Sequence, residues 1–220
     1  MKKLDKNEAG LCRTCLKKYE EAKTRSCSLC AKSLPECSCT NLYLSAHCVK
    51  GLSKLARYNG GVSREAMTPI IYRLKYKSRA DVLDIITDDM VRSIRASLPP
   101  LPADTIITNV PNRKSAIRRR GFDHSEVLAK YIASKLSLEY TPLLKSLSKK
   151  SQKRLNSAER KLNAKFEPLH ECDLRKKFII IVDDVVTSGA SMGNAAFVIR
   201  SLGAKDIYGA TIAIAYRDEN

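Results

Sequence analysis

The sequence predicts an α/β protein, a doubly wound and mostly parallel sheet with helices on both faces, preceded by a small cysteine-rich module. Three observations carry that expectation. Strand-like and helix-like segments alternate from about residue 105 to residue 216. One strand, residues 178–182, is apolar at every position, as strands covered on both faces are. Seven of the eight cysteines fall before residue 50, in a stretch with little apolar periodicity.

The chain of 220 residues is 44% hydrophobic, enough to bury a core and divide into a module over 1–57 and a larger domain over 58–220. No apolar run approaches the ~18 residues that cross a bilayer, and residues 1–8 are charged with no apolar core of a signal peptide. A membrane-spanning protein and a collagen are thereby excluded, and a cytoplasmic location is expected. Forty Lys and Arg against 23 Asp and Glu give a net charge of +17, which favours a polyanionic partner, although a basic solvating surface would carry the same sign.

Taken in order, Thr68-Pro69 reads as an N-cap and first helical position for a helix through Ile70, Ile71, Leu74 and Tyr76. Ser78 caps a second helix, with Val82, Ile85, Ile86, Met90 and Ile94 at helical spacing up to Leu98, where Pro99, Pro100 and Pro102 stop it. Residues 105–110 form a strand ended by Pro111. Residues 125–136 form a helix with Val127, Leu128, Tyr131, Ile132 and Leu136 on one face, and residues 140–147 a further strand. The stretch 147–168 is polar and basic, with a short helix around 158–163, and is long for a connection that binds nothing. After the apolar strand, Met192, Ala195, Ile199 and Leu202 mark a helix face closed by Gly203, and residues 207–216 form the last strand.

Cys12-x2-Cys15 and Cys27-x2-Cys30 are two knuckles of the kind that turn four thiolates toward one Zn²⁺. Without a secretory signal the thiols are expected reduced, so metal ligation outranks disulfides. Cys37, Cys39 and Cys48, with His47, are spare candidates that replace one knuckle or build a second, incomplete site. Four sulfurs close the coordination shell, so the zinc is expected to be structural and to stabilise a segment too short for its own core.

The sharpest signal is the run Ile179-Ile180-Ile181-Val182-Asp183-Asp184-Val185-Val186-Thr187-Ser188-Gly189-Ala190-Ser191. An apolar strand ends in two carboxylates, then a turn of small and hydroxyl residues opens a helix. The carboxyl end of a parallel strand is where open α/β sheets bind ligands. Backbone N–H groups of Thr187, Ser188, Gly189, Ala190 and Ser191 are placed to cradle a phosphate. Asp183 and Asp184 beside them suit vicinal hydroxyls of a ribose, or Mg²⁺ held through water.

These thirteen residues resemble the phosphoribosyl-pyrophosphate (PRPP) loop of the type I phosphoribosyltransferases. More narrowly, the chain resembles the ComF family, late-competence proteins with an N-terminal zinc module. The likeness extends to Val110-Pro111, to Arg119-Arg120-Gly121-Phe122, and to Gln152-x2-Leu155-x4-Arg160-x2-Asn163-x2-Phe166. It covers roughly residues 10–216. Three departures stand out: Asp123-His124 where the family has Asn-Gln, Cys30-Ala31 where it has Cys-Gly, and a contracted Cys37-Ser38-Cys39. The resemblance implies a sheet of the type I phosphoribosyltransferase kind and PRPP bound with Mg²⁺ at Asp183, Asp184, Thr187, Ser188, Gly189, Ala190 and Ser191. Arg113 and Lys114 would meet the pyrophosphate. Residues 148–165 would be a loop closing over it, bringing Arg160. It also implies a role with single-stranded DNA in natural transformation, with the competence helicase and recombination proteins as partners.

Between residues 111 and 177 lie 18 Lys and Arg against 7 Asp and Glu. Arg118, Arg119 and Arg120 are therefore candidates for contacts to a nucleic-acid backbone. An active phosphoribosyltransferase acting on an amine or nucleobase is the alternative. No acceptor site or catalytic residue is legible in the sequence, and His124 reads as a turn or cap residue.

Overall fold

The computed structural model describes residues 11, 13–58, 67–77, 80–147 and 165–215. Five strands form one sheet in the order β1 (Val49–Arg57), β7 (Asp206–Ile214), β6 (Phe178–Val186), β2 (Ile106–Asn109), β3 (Glu139–Tyr140), and every pairing in it is parallel. A separate antiparallel pair joins β4 (Leu144–Ser146) to β5 (Phe166–Pro168). The doubly wound parallel fold expected from the sequence is the fold observed.

Strand β6 is central because it is apolar on both faces: Phe178, Ile180 and Val182 point to one core, Ile179 and Ile181 to the other. Each fully buried Ile or Val contributes ~1.5–3 kcal/mol by leaving water. The first core is covered by α1 (Arg13–Lys23), α3 (Met67–Lys77), α4 (Ala80–Ser97) and α6 (His124–Leu136). The second is covered by α7 (Ala190–Ser201), α2 (Leu42–Ala46) and the cysteine-rich segment. Close packing on that side demands glycine at one position. A Cβ on Gly209 would stand 2.5 Å from Met192 Sδ and 2.7 Å from Leu52 Cδ1.

The chain reaches β3 from β2 through α5 (Lys114–Arg120) and α6, and reaches β7 from β6 through α7. The two connections leave adjacent strands in opposite directions and on opposite faces. The crevice between the carboxyl ends of β2 and β6 is therefore the switch point of the sheet.

Four elements differ from the sequence expectation. Residues 13–23 are helical where a metal knuckle was expected at Cys12 and Cys15. Residues 49–57, assigned to the module with no strand expected, form the edge strand β1 of the central sheet. Residues 114–120, read only as a basic cluster, form α5. The single strand expected over 140–147 divides into β3 and β4, which lie in different sheets. The helix expected around 158–163 lies outside the described residues.

Candidate functional site

At the end of β6 the two carboxylates take different environments. Asp183 is half-buried, and its Oδ1 accepts from the Asp184 backbone N–H at 2.9 Å. Asp184 is buried, and its Oδ2 lies 3.2 Å from His124 Nε2. Successive residues of a strand point to opposite faces, so a pair adjacent in sequence is divided between the two sides of the sheet. Apolar side chains wall the His124–Asp184 contact: Leu74, Leu83, Phe122, Val127, Leu128 and Ile212.

The proton on His124 can be placed from its other nitrogen. A guanidinium N of Arg120 stands 2.8 Å from Nδ1, and Asn112 Nδ2 stands 3.4 Å from it. A guanidinium only donates. Nδ1 must therefore accept, and the ring hydrogen sits on Nε2 facing Asp184. Of the three arginines on α5, Arg118 and Arg119 are exposed while Arg120 turns inward to this histidine.

Asp123, where the ComF pattern has Asn, N-caps α6 by accepting from Ser125 N at 3.1 Å. It also accepts from the backbone N–H (2.8 Å) and side-chain amide (2.6 Å) of Asn112. Ser125 completes the junction by donating to Val110 O at 2.7 Å. Residues 110–113, which leave β2 at the crevice, are thus tied to the start of α6. Arg113 is the N-cap residue of α5 and Lys114 its first residue, so both stand at the same edge of the sheet as the end of β6.

The turn after β6 runs through Thr187 and Ser188 to Gly189, whose φ of 81° places it in the left-handed region that favours glycine. Ala190 begins α7, and Ser191 lies in its first turn. The cysteine-rich segment packs directly on this turn. Asn41 caps α2 by accepting from Leu44 N at 2.9 Å, and its amide donates to Ser188 O at 3.2 Å. Tyr43 donates to Asn194 Oδ1 at 2.7 Å, and a Cβ on Gly193 would stand 2.8 Å from the Tyr43 ring.

Two residues before Asn41 ends a cluster of four sulfurs. Cys27, Cys30, Cys37 and Cys39 have their Sγ atoms within 4.8 Å of one another. Tetrahedral sulfur ligands at ~2.3 Å from Zn²⁺ stand about 3.8 Å apart, so this donor set fits a metal ion. The Cys27–Cys30 knuckle is closed by Ala31 N donating to Cys27 O at 2.9 Å, with Ala31 at φ 59°. Burial, then the neighbouring Cys30 and Cys37 sulfurs, push the Cys39 thiol up to about 12.

The gathered set shares Cys27 and Cys30 with the set expected from spacing and differs in the other two. Cys12 lies outside the described residues. Cys15 sits on α1, half-buried against the core on the other face, because a helix rather than a turn follows it. Cys37 and Cys39, held as spares, take the remaining places. Cys48 is exposed, and His47 stacks on Tyr43 at 4.0 Å between ring centroids. Arg160 and most of the loop around it lie outside the described residues. His124 is the participant whose position the sequence signalled least. Its one cue was standing where the family pattern has Gln.

The chain is 26% identical over 215 residues to the DNA utilization protein YhgH of Salmonella typhi, an alignment covering 90% of this chain and 94% of that one. It is 24% identical over 212 residues to the protein of the same name from Escherichia coli K12, covering 89% and 92%. The chain is similar to these DNA utilization proteins over nearly its whole length. No family model matches it. Among solved structures it overlaps a purine phosphoribosyltransferase from Pyrococcus horikoshii over 60% of this chain and 73% of that one, with a TM-score of 0.39 and 18% identity. It overlaps glutamine PRPP amidotransferase from Bacillus subtilis over 64% and 30%, with a TM-score of 0.40 and 16% identity.

Proposed function

We propose that this protein handles single-stranded DNA in DNA utilization and natural transformation, on a scaffold that binds PRPP. The observation that carries the reading is the near end-to-end likeness to proteins named for DNA utilization, in a chain of charge +17. The exposed Arg118 and Arg119, beside Arg113 and Lys114 at the edge where β2 ends, supply cations for a phosphate backbone. The cysteine cluster holds a structural Zn²⁺. No helix among the described residues is long and apolar enough to cross a membrane, and a cytoplasmic site of action, with the competence helicase and recombination proteins as partners, accords with reduced thiols.

A second reading rests on the switch-point crevice. Thr187, Ser188, Gly189, Ala190 and Ser191 would cradle the 5′-phosphate of PRPP with Mg²⁺ nearby. Asp183 would accept from the ribose, and Arg113, Lys114 and Arg160 would face the pyrophosphate. Transfer of the ribose 5-phosphate to an amine or nucleobase would follow from that site.

One titration separates the two: labelled single-stranded DNA at several salt concentrations, with and without PRPP and Mg²⁺. The DNA reading expects binding that weakens linearly in log K against log salt. Absence of DNA binding, together with release of pyrophosphate from PRPP in the presence of an amine or base, would favour the transferase.

A further inference from the structure

We propose that Lys54 is the counter-charge of the cysteine cluster, a positioning residue that the central sheet contributes to the metal site; the proposal rests on the metal reading given above. Lys54 lies on β1, paired with Thr211 of β7, and is 1% exposed. Its Nζ stands 3.0 Å from Cys37 O, 2.9 Å from Cys39 O, 3.1 Å from Leu52 O and 3.2 Å from Cys37 Sγ. All four neighbours are acceptors, and an amine would turn a lone pair toward one of them. The group is therefore an ammonium with three donors shared among four acceptors.

A buried ammonium is costly unless an opposite charge lies close. Lys54 forms no salt bridge with a carboxylate among the described residues, and the only ionisable neighbour it touches is the Cys37 sulfur. Four thiolates around a divalent ion carry a net charge of −2, and one ammonium reduces it to −1. With the metal bound, the Nζ contact to Cys37 Sγ would set the buried Lys54 ammonium against the excess negative charge of the thiolates. The carbonyls held by Nζ belong to Cys37 and Cys39 themselves. The same side chain thus fixes the turn that presents these two sulfurs, and it draws electron density from one of them.

The test compares the full-length protein with Lys54→Met, which keeps the stem, and Lys54→Gln, which keeps a donor without the charge. Zinc affinity is measured by competition with a chromogenic chelator, and each protein is also loaded with Co²⁺ for absorption spectroscopy. The expected result is a loss of zinc affinity of about tenfold or more in both variants, with the sulfur-to-cobalt charge-transfer band moving to lower energy as the Nζ–H···S contact is lost. A lysine that merely packs would leave the band in place. If Lys54→Met does not fold, Lys54→Gln carries the same comparison. Wild-type affinity and an unmoved band in a folded variant overturn the proposal while leaving the metal reading intact. A wild-type protein that takes up neither metal overturns both.

Discussion

His124 and Asp184 face each other at 3.2 Å, buried beside the crevice between β2 and β6, while Asp183, the preceding residue on β6, lies outside that contact. Two neighbouring acids thereby acquire different work. Asp184 is part of a chain running from Arg120 through His124 into the sheet, and Asp183 is the carboxylate we propose to meet the ribose.

Substitution should separate them. Asp183→Asn is expected to lower PRPP affinity about tenfold, the worth of one charge-assisted hydrogen bond, with unfolding unchanged. Asp184→Ala removes the buried carboxylate that faces His124 Nε2 at 3.2 Å, and is expected to cost about 1–3 kcal/mol of stability. Titration calorimetry and urea unfolding of both variants check this. Equal loss of stability in the two would mean that the carboxylates share one role.

The proposed metal ligands are distinguished by four single variants. Cys37→Ser and Cys39→Ser are expected to lose zinc, as is Cys30→Ser, whereas Cys15→Ser retains it, since its side chain packs on the opposite face. Metal content after dialysis is the measurement, and zinc lost from Cys15→Ser alone would return the site to the first knuckle.

Ala31 holds φ at 59°, where a Cβ is strained by ~1–2 kcal/mol. Glycine removes that strain but adds freedom to the unfolded chain. Ala31→Gly is therefore expected to raise stability by up to about 1 kcal/mol without altering metal content, as read from denaturant midpoints.

The arginine face of α5 divides in the same manner as the acids. Replacing Arg118 and Arg119 with Ala is expected to weaken single-stranded DNA binding for every sequence alike and to flatten the salt slope by about 1.4, at ~0.7 per contact. Replacing Arg120 alone should act through His124 and the fold. A slope unaltered by the double substitution removes these two residues from the DNA interface.

Asp89 provides a pH dependence. Burial would raise its pKa, but hydrogen bonds from Lys23 (2.6 Å), Tyr19 (2.8 Å) and Arg92 outweigh this and hold it below the usual value. A depressed folded pKa means stability that is present above the unfolded value, near 3.8, and is lost as pH falls through the folded one. The gap in stability between wild type and Asp89→Ala, about 1–3 kcal/mol at pH 7, should accordingly shrink below pH 4 in chemical denaturation.

Much of this architecture was legible in the sequence because its signals are local. The apolar run of β6, the helical spacing of α4, and the glycine turn into α7 each declare themselves within a dozen residues. Strand β1 was hidden by Ser53 and Lys54, polar residues that the fold buries by pairing them with Ser93 and the cysteine turn. Helix α5 was hidden by its arginines, which leave no apolar stripe. The cysteine pairs looked alike by spacing, and only the helix that follows Cys15 tells them apart. The link from Arg120 through His124 to Asp184 joins segments distant along the chain, so no local pattern reports it.

Strand β1 also changes what it would mean to cut the molecule in two. It follows the cysteine segment and α2 and pairs with β7 from Val49 to Arg57, with one register shift between Val49 and Leu52. A chain begun after Arg57 would lose one rim of the sheet as well as the cluster, leaving β7 with a row of unmatched amides and carbonyls open to any extended partner. Such an edge recruits other chains. The cysteine segment and its strand therefore keep the sheet a single molecule, a service separate from any ligand it helps to hold.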